Sequence, residues 1–369
     1  MIGAELDWSG IWNRAQAEGH GLAMWRLPNQ DQQFLLQDLS GGQVVDAHEL
    51  ENLGAGFLVG PFIGQPYFLK ATHLISKNVS SEKITVPSAF RPTENLEKRS
   101  EFMEQVARSV KKIEAGDFQK VVLSRVDEHE LIPHFDLLHS FDQLCLNYPS
   151  AFVAAIYVPA LKDIWLCATP ETLVSQDAQG IFRTISLAGT QSGLDADGNK
   201  LSPSEARWSQ KEIEEQAYVS RYIIDCFKRI RLREYYENGP KTVLAGNLMH
   251  LKTEYSVDTR KYHYPGLITQ MLNLLHPTSA VCGTPKEAAL DWILQTEKHE
   301  RLLYSGYLGP INLEEATHLF VNLRTVQLQG TIARYYAGCG ITEDSDPLKE
   351  WQETQMKCQT LQRVINASP

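Results

Sequence analysis

No window of the sequence approaches the roughly 20 consecutive apolar residues that a membrane-spanning helix needs. The opening MIGAELDWSGIWNRAQ also has no basic segment leading into an apolar run. Neither export nor membrane insertion is expected, which leaves the cytoplasm. Positive charge is scarce as well: 35 Lys and Arg stand against 45 Asp and Glu, a formal charge of −10. A nucleic-acid partner, whose phosphates call for a basic face, is thereby disfavoured, and any cations that meet an anionic ligand must be local. The six cysteines, Cys145, Cys167, Cys226, Cys282, Cys339 and Cys358, include no C-x-x-C pair and mostly lie in apolar contexts such as IWLCATP, so they read as reduced packing residues. There is no repeat of solenoid period and no low-complexity tract.

What is present is the composition of an ordinary soluble enzyme, 43% hydrophobic and 22% charged over 369 residues. Residues 1 to about 94 are rich in Gly, Pro and aromatics, and short apolar runs such as GLAMWRLP and QFLLQDL predict strands in a hairpin or meander. From TENLEKRSEFMEQVARSVKKIEAGDFQKVVLSR the spacing becomes helical, stops at AGD and resumes as a strand. Further strands are expected at AFVAAIYVP, DIWLCA, IFRTISLAG and through ATHLFVNLRTVQLQGTIARYYAGCG. Helices are expected at SPSEARWSQKEIEEQAYVSRYIIDCFKRIR, YPGLITQMLNLL and PLKEWQETQMKCQTLQRVINA. Strands and helices come in blocks, which predicts an α/β fold of α+β type: mixed, largely antiparallel sheets layered with helices.

Two helices each carry a carboxylate pair at i, i+3: Glu212 and Glu215 in KEIEEQ, Glu350 and Glu353 in PLKEWQET, the latter one turn before Lys357. Each pair is either a solvated face with ordinary ion pairs or part of a site for a hard cation such as Mg²⁺, which takes a few carboxylate oxygens. Glu214 points off that face and serves as an internal control. Lys120, at the start of the strand KVVLSR, is either a snorkelling edge residue or a buried amine suited to act as a base. Glu171 in TPETLVS is either a turn residue in water or an acid kept protonated by poor solvation. Gly189 and Thr190 in SLAGT, and Gly338 and Gly340 in YAGCGI, follow strands and allow backbone amides to approach a ligand. Arg324 in FVNLRT lies in a strand pattern, where a guanidinium suits a carboxylate or a structural ion pair.

Taken in order, KVVLSR, TPETLV, LAGT, KEIEEQ, MHLKT, HPTSAVCGTP, YSGYLGP, VNLRT, YAGCGI and SDPLKEWQET resemble the chorismate-utilising enzymes, and among them the isochorismate synthases. The resemblance covers residues 95–369, with 1–94 as a variable strand-rich part of the same domain. It implies an isomerase that adds water at C2 of the chorismate ring and expels the C4 hydroxyl, feeding menaquinone or siderophore biosynthesis. It further implies Lys120 as the water-activating base and Glu171 as the general acid. Glu215 and Glu353 would be Mg²⁺ ligands, with Glu212 and Glu350 as their outer partners. Thr190, His250, Tyr304, Arg324, Gly338, Gly340 and Lys357 would line the substrate pocket. Relatives that use ammonia from a glutamine amidotransferase carry Gln at the position of Lys120, and aminodeoxychorismate synthases carry Lys at that of Ala188. No amidotransferase subunit is therefore expected, and a monomer or homodimer is. Salicylate synthase, which goes on to eliminate pyruvate, is the alternative, although it tends to have Phe where this chain has Trp351. An inactive metal-binding or scaffold homologue is a third reading, disfavoured because every matched polar position is intact.

Overall fold

The structure is a computed structural model and describes residues 7–79, 95–195, 199–245 and 248–367. The boundary at residues 94 and 95 thus abuts a stretch outside the described residues. In chain order the elements are α1 (Trp8–Ala17), β1 (Gly21–Arg26), β2 (Gln32–Asp38), β3 (Gln43–Val44), β4 (Gly56–Gly60), β5 (Tyr67–Lys70), β6 (His73–Asn78), α2 (Leu96–Glu114), β7 (Lys120–Glu130) and α3 (Leu137–Asn147). There follow β8 (Phe152–Tyr157), β9 (Ile164–Thr169), β10 (Thr172–Gln176), β11 (Ile181–Ser192), α4 (Gln210–Arg229), β12 (Tyr236–Ala245), β13 (Leu248–Asp258), α5 (Leu267–Leu275) and β14 (Gly283–Thr284). The chain closes with α6 (Lys286–Thr296), β15 (Tyr307–Ile311), β16 (Thr317–Val321), β17 (Thr325–Gln329), β18 (Ile332–Ile341) and α7 (Pro347–Ile365).

The strands form two nine-stranded sheets, ordered β14-β7-β18-β17-β9-β8-β1-β2-β6 and β12-β13-β11-β10-β16-β15-β4-β5-β3. Every pairing among the described strands is antiparallel, so the expected admixture of parallel pairs is absent from them. The strands of the first eighty residues extend both sheets: β1 pairs with β8, and β4 pairs with β15.

All six residues of β1 are buried, because both of its faces are covered. Ala23 and Trp25 point between the sheets, where they meet Phe57, Phe152 and Phe320, the last two stacked at 4.1 Å. Leu22 and Met24 point the other way, onto Trp8 and Trp12 of α1, Phe141 of α3 and Leu361 of α7. Helices α4 and α5 cover the outer face of the second sheet through Val219, Ile223, Phe227, Met271 and Leu275. Helices α2 and α6 pack beside β7 and β18. The result is a helix–sheet–sheet–helix sandwich with its aromatic core between the sheets.

Candidate active site

Two chain crossings between the sheets set the site. The segment after β9 leaves the first sheet and enters the second as β10, and it carries Glu171. The segment after β16 returns to the first sheet as β17, and it carries Arg324. The crossings lie side by side: Val321 N donates to Glu171 O at 3.0 Å, Ala168 N to Arg324 O at 3.0 Å and Thr169 Oγ1 to Val321 O at 2.7 Å. Arg324 is thus in a connection rather than in a strand, as its sequence pattern had suggested. Its backbone is left-handed at φ 46°, a costly conformation for a large side chain that neighbouring structure must hold in place.

Between the crossings, β7 and β18 of one sheet, β11 and β13 of the other and helices α4 and α7 enclose a cavity with about 690 Å³ of empty space, part of it open to solvent. Its wall includes Glu171, Thr190, Glu215, His250, Tyr304, Arg324, Gly338, Gly340, Glu353 and Lys357. Most of the residues named from the sequence therefore share one cavity.

The carboxylate pairs reach it by helix periodicity. On α4 the face that buries Val219 and Ile223 continues one turn earlier to Glu215, while Glu214 lies on the exposed side and accepts from Gln210. Gln216 pins this turn to the sheet by donating to Ser186 Oγ at 2.6 Å and Thr253 Oγ1 at 3.0 Å. On α7 the buried face begins with Glu350, 1% exposed, so this helix start is no solvated surface. Arg125 holds that turn to β7: its guanidinium lies 4.0 Å from the centre of the Trp351 ring, and its Nε donates to Thr354 Oγ1 at 2.7 Å.

Three of the four glutamates face a lysine. Lys120 Nζ lies 2.9 Å from Glu215 Oε1, Lys357 Nζ lies 2.7 Å from Glu353 Oε1, and Lys211 Nζ binds Glu350 Oε1. Glu212 instead closes its own helix, accepting from Ser209 N at 2.7 Å and Ser209 Oγ at 2.9 Å in a capping box. Burial opposes ionisation of Glu215, yet Lys120 and Lys211 outweigh it and keep its carboxyl below the usual range. In Glu350 burial wins over Lys211, with Glu353 adding repulsion, and its carboxyl is raised. Glu350 Oε2 is buried without a partner at hydrogen-bond geometry. The donor chemistry, carboxylate oxygens with one buried and unsatisfied, suits a hard divalent cation. With the glutamates turned to the lysines, however, no three His, Cys, Asp or Glu side chains among the described residues are grouped to hold a metal ion.

Lys120 is 0% exposed and lies behind the cavity wall, under Glu215, which rules out a snorkelling edge lysine. Gly340 makes this packing possible, since a Cβ there would fall 2.3 Å from Glu215 Oε1 and 2.9 Å from Lys120 Cε. Gly338 and Gly340 lie opposite Ser124 and Val122, whose amides bond to Glu297 and Cys282 instead of β18. Both glycines consequently turn their backbone groups away from β7, and Lys357 Nζ reaches Gly338 O at 2.8 Å on that side. Gly189, at φ 66°, sits within β11 at a register shift between Ala188 and Gln191, so it marks a bulge rather than a strand end.

Glu171 is 4% exposed, and burial pushes its carboxyl up to about 8 against the pull of Lys120, Lys357 and Arg324. His250 Nδ1 is 2.9 Å from Gly189 O; a carbonyl only accepts, so this nitrogen carries the proton and Nε2, buried without a partner, is left as an acceptor. Burial, reinforced by Arg324, holds the imidazole down at about 3 and therefore neutral. Thr190 Oγ1 is 3.4 Å from His250 Nδ1. Tyr304 is buried, stacked on Tyr336 at 5.5 Å. Sequence reasoning overlooked Lys211, although its place four residues before Glu215 on the same helix was a usable signal.

Residues 67–366 match the family model described as chorismate binding enzyme. Isochorismate synthase MenF of Bacillus subtilis is 26% identical over 268 residues, spanning 72% of this chain and 55% of that protein. Isochorismate synthase EntC of Escherichia coli K12 is 28% identical over 298 residues, spanning 78% of this chain and 73% of that one. The solved structure of MenF, the menaquinone-specific isochorismate synthase of Escherichia coli, superposes with a TM-score of 0.72 at 18% identity, covering 95% of this chain and 90% of that chain. At that identity the likeness is one of fold.

Proposed function

The chain belongs to the chorismate-binding enzymes, and from that premise we propose that it is an isomerase converting chorismate to isochorismate, an isochorismate synthase. The observation that carries the reading is Glu171: a carboxylic acid held protonated near neutral pH on the wall of a cavity that also holds Arg324, Lys357 and two strand-edge glycines. The names of the curated relatives support it, as do Lys120 in place of the Gln of ammonia-using relatives and Ala188 in place of Lys.

Chorismate is a dianion, and the cavity answers it with Arg324, Lys357 and the outward-facing amides of Gly338 and Gly340. Arg324 Nη1 is buried without a partner and so has a donor to give a substrate carboxylate. The bare Nε2 of His250 accepts from a ring hydroxyl. Glu171 protonates the departing C4 hydroxyl, and Lys120, once uncharged and no longer covered by Glu215, takes the proton of the water that adds at C2 while both ring double bonds shift. Acid and base thus act at the two ends of one exchange relayed through the conjugated ring diene, water entering at C2 as water leaves C4, so the atoms balance without any further reactant.

Glu215 and Glu353, with Glu350 and Glu212 behind them, would hold Mg²⁺. Bound there, the ion would neutralise and polarise a substrate carboxylate. The test is to incubate purified protein with chorismate and Mg²⁺, with and without EDTA, and to separate the products. Isochorismate formed only with metal, free of pyruvate, is the expected result. Salicylate with pyruvate would instead make this a salicylate synthase, and no turnover would defeat the reading.

A further inference from the structure

The three lysine–glutamate pairs are not equivalent. Lys120 is fully enclosed, and Lys357 is tied to a second acceptor, Gly338 O. Lys211 is 24% exposed and, among the described residues, donates to Glu350 alone. It stands four residues before Glu215 on α4, spans the gap to α7 and lies within electrostatic reach of Glu215 and Glu353 as well as its partner. One ammonium thus bonds Glu350 and also attracts Glu215 and Glu353 through space. Its partner is buried, and the partner's Oε2 has no hydrogen bond of good geometry, although the Ser345 hydroxyl is close enough to favour its charged form. A lysine on a flexible four-carbon stem with a path to solvent can leave such a position, whereas its enclosed neighbour Lys120 cannot.

We infer that Lys211 is the resident counter-cation of this carboxylate set, and that a divalent cation enters by displacing it, so that Lys211 sets how tightly the site holds metal. The inference rests on the reading of these glutamates as a metal site. It follows from charge and space: an ammonium bonded to Glu350 repels an incoming dication and stands beside Glu215 and Glu353, the carboxylates that would hold the ion. Lys211 on this account is a positioning residue and touches no substrate.

The test needs no turnover. Mn²⁺ binding to the purified protein without substrate is measured by the loss of the free-ion paramagnetic resonance signal, for wild type, Lys211→Met and Lys211→Arg. Lys211→Met, which keeps the stem and removes the charge, should bind Mn²⁺ about tenfold tighter or more. Lys211→Arg should stay close to wild type. Equal or weaker binding by Lys211→Met overturns the inference while leaving the metal site standing; no binding by any of the three overturns both. A second measurement avoids mutation: Mg²⁺ should raise acetylation of Lys211 in wild-type protein, mapped by peptide mass spectrometry, while Lys120 stays protected. Unchanged Lys211 labelling also overturns displacement.

Discussion

Glu171 and Lys120 look unremarkable as isolated letters, and their burial gives them their chemistry. Because burial raises the Glu171 carboxyl to about 8, the acid is present below that pH and lost above it. The rate of chorismate conversion should therefore fall as pH rises through about 8, and Glu171→Gln should reduce it by about 10²- to 10⁴-fold and remove that limb of the profile. A retained alkaline limb in Glu171→Gln would assign it to another group. Lys120→Gln should abolish water addition, with isochorismate as the readout. The identities of these residues were legible in the sequence, as was the lysine at 120 where a glutamine would signal ammonia. Their environments were not: that Lys120 is covered by Glu215, or that Arg324 sits in a left-handed connection, depends on two sheets and two helices meeting.

Helix α4 shows how an element serves the site by burying its other end. Ile223, 2% exposed, packs against the second sheet two turns beyond Glu215. Ile223→Ala should cost about 2–5 kcal/mol of stability, seen as a lower denaturation midpoint with unchanged slope. Gly340→Ala should behave differently, because the added methyl meets the ends of Glu215 and Lys120. These side chains can shift, so the fold should persist by circular dichroism while activity and metal binding fall. Long periodic segments such as α2, α4 and α7 could be read from the sequence because their apolar spacing is sustained. Helices α1, α3 and α6, of 10 or 11 residues each, were missed, whereas the shorter but more apolar α5 was expected. Strand β12 was obscured by Asn238, Gly239 and Pro240, which break a local pattern yet are accommodated at a register shift against β13.

At the scale of the molecule, the order of strands is the least local property and was not legible. β7 lies beside β18, a pairing made across more than half the chain, and the first eighty residues add strands to both sheets. Two buried imidazoles give the assembled fold a common acid limit. Burial lowers His250 to about 3 and His276 to about 4, from 6.5. Below about 6.5 the unfolded chain takes up protons that the fold refuses, so this stabilisation is intact above that pH and is lost progressively as pH falls toward 3 to 4. The melting temperature should decline over that window, and calorimetry across it checks the sign.

The three lysine–glutamate pairs carry one more consequence, for the order in which ligands gather. A dication alone must displace an ammonium from a carboxylate set that lysines already balance, and a dicarboxylate alone finds Arg324 and Lys357 with those carboxylates close by. Together the two ligands cancel. Metal and dianion should therefore bind with positive heterotropic linkage, and thermodynamic reciprocity requires the factor by which Mg²⁺ tightens an unreactive dicarboxylate analogue to equal the factor by which the analogue tightens Mg²⁺. Titration calorimetry in both orders measures each factor, and independent binding would show that the balance of charge in this cavity does not govern its occupancy.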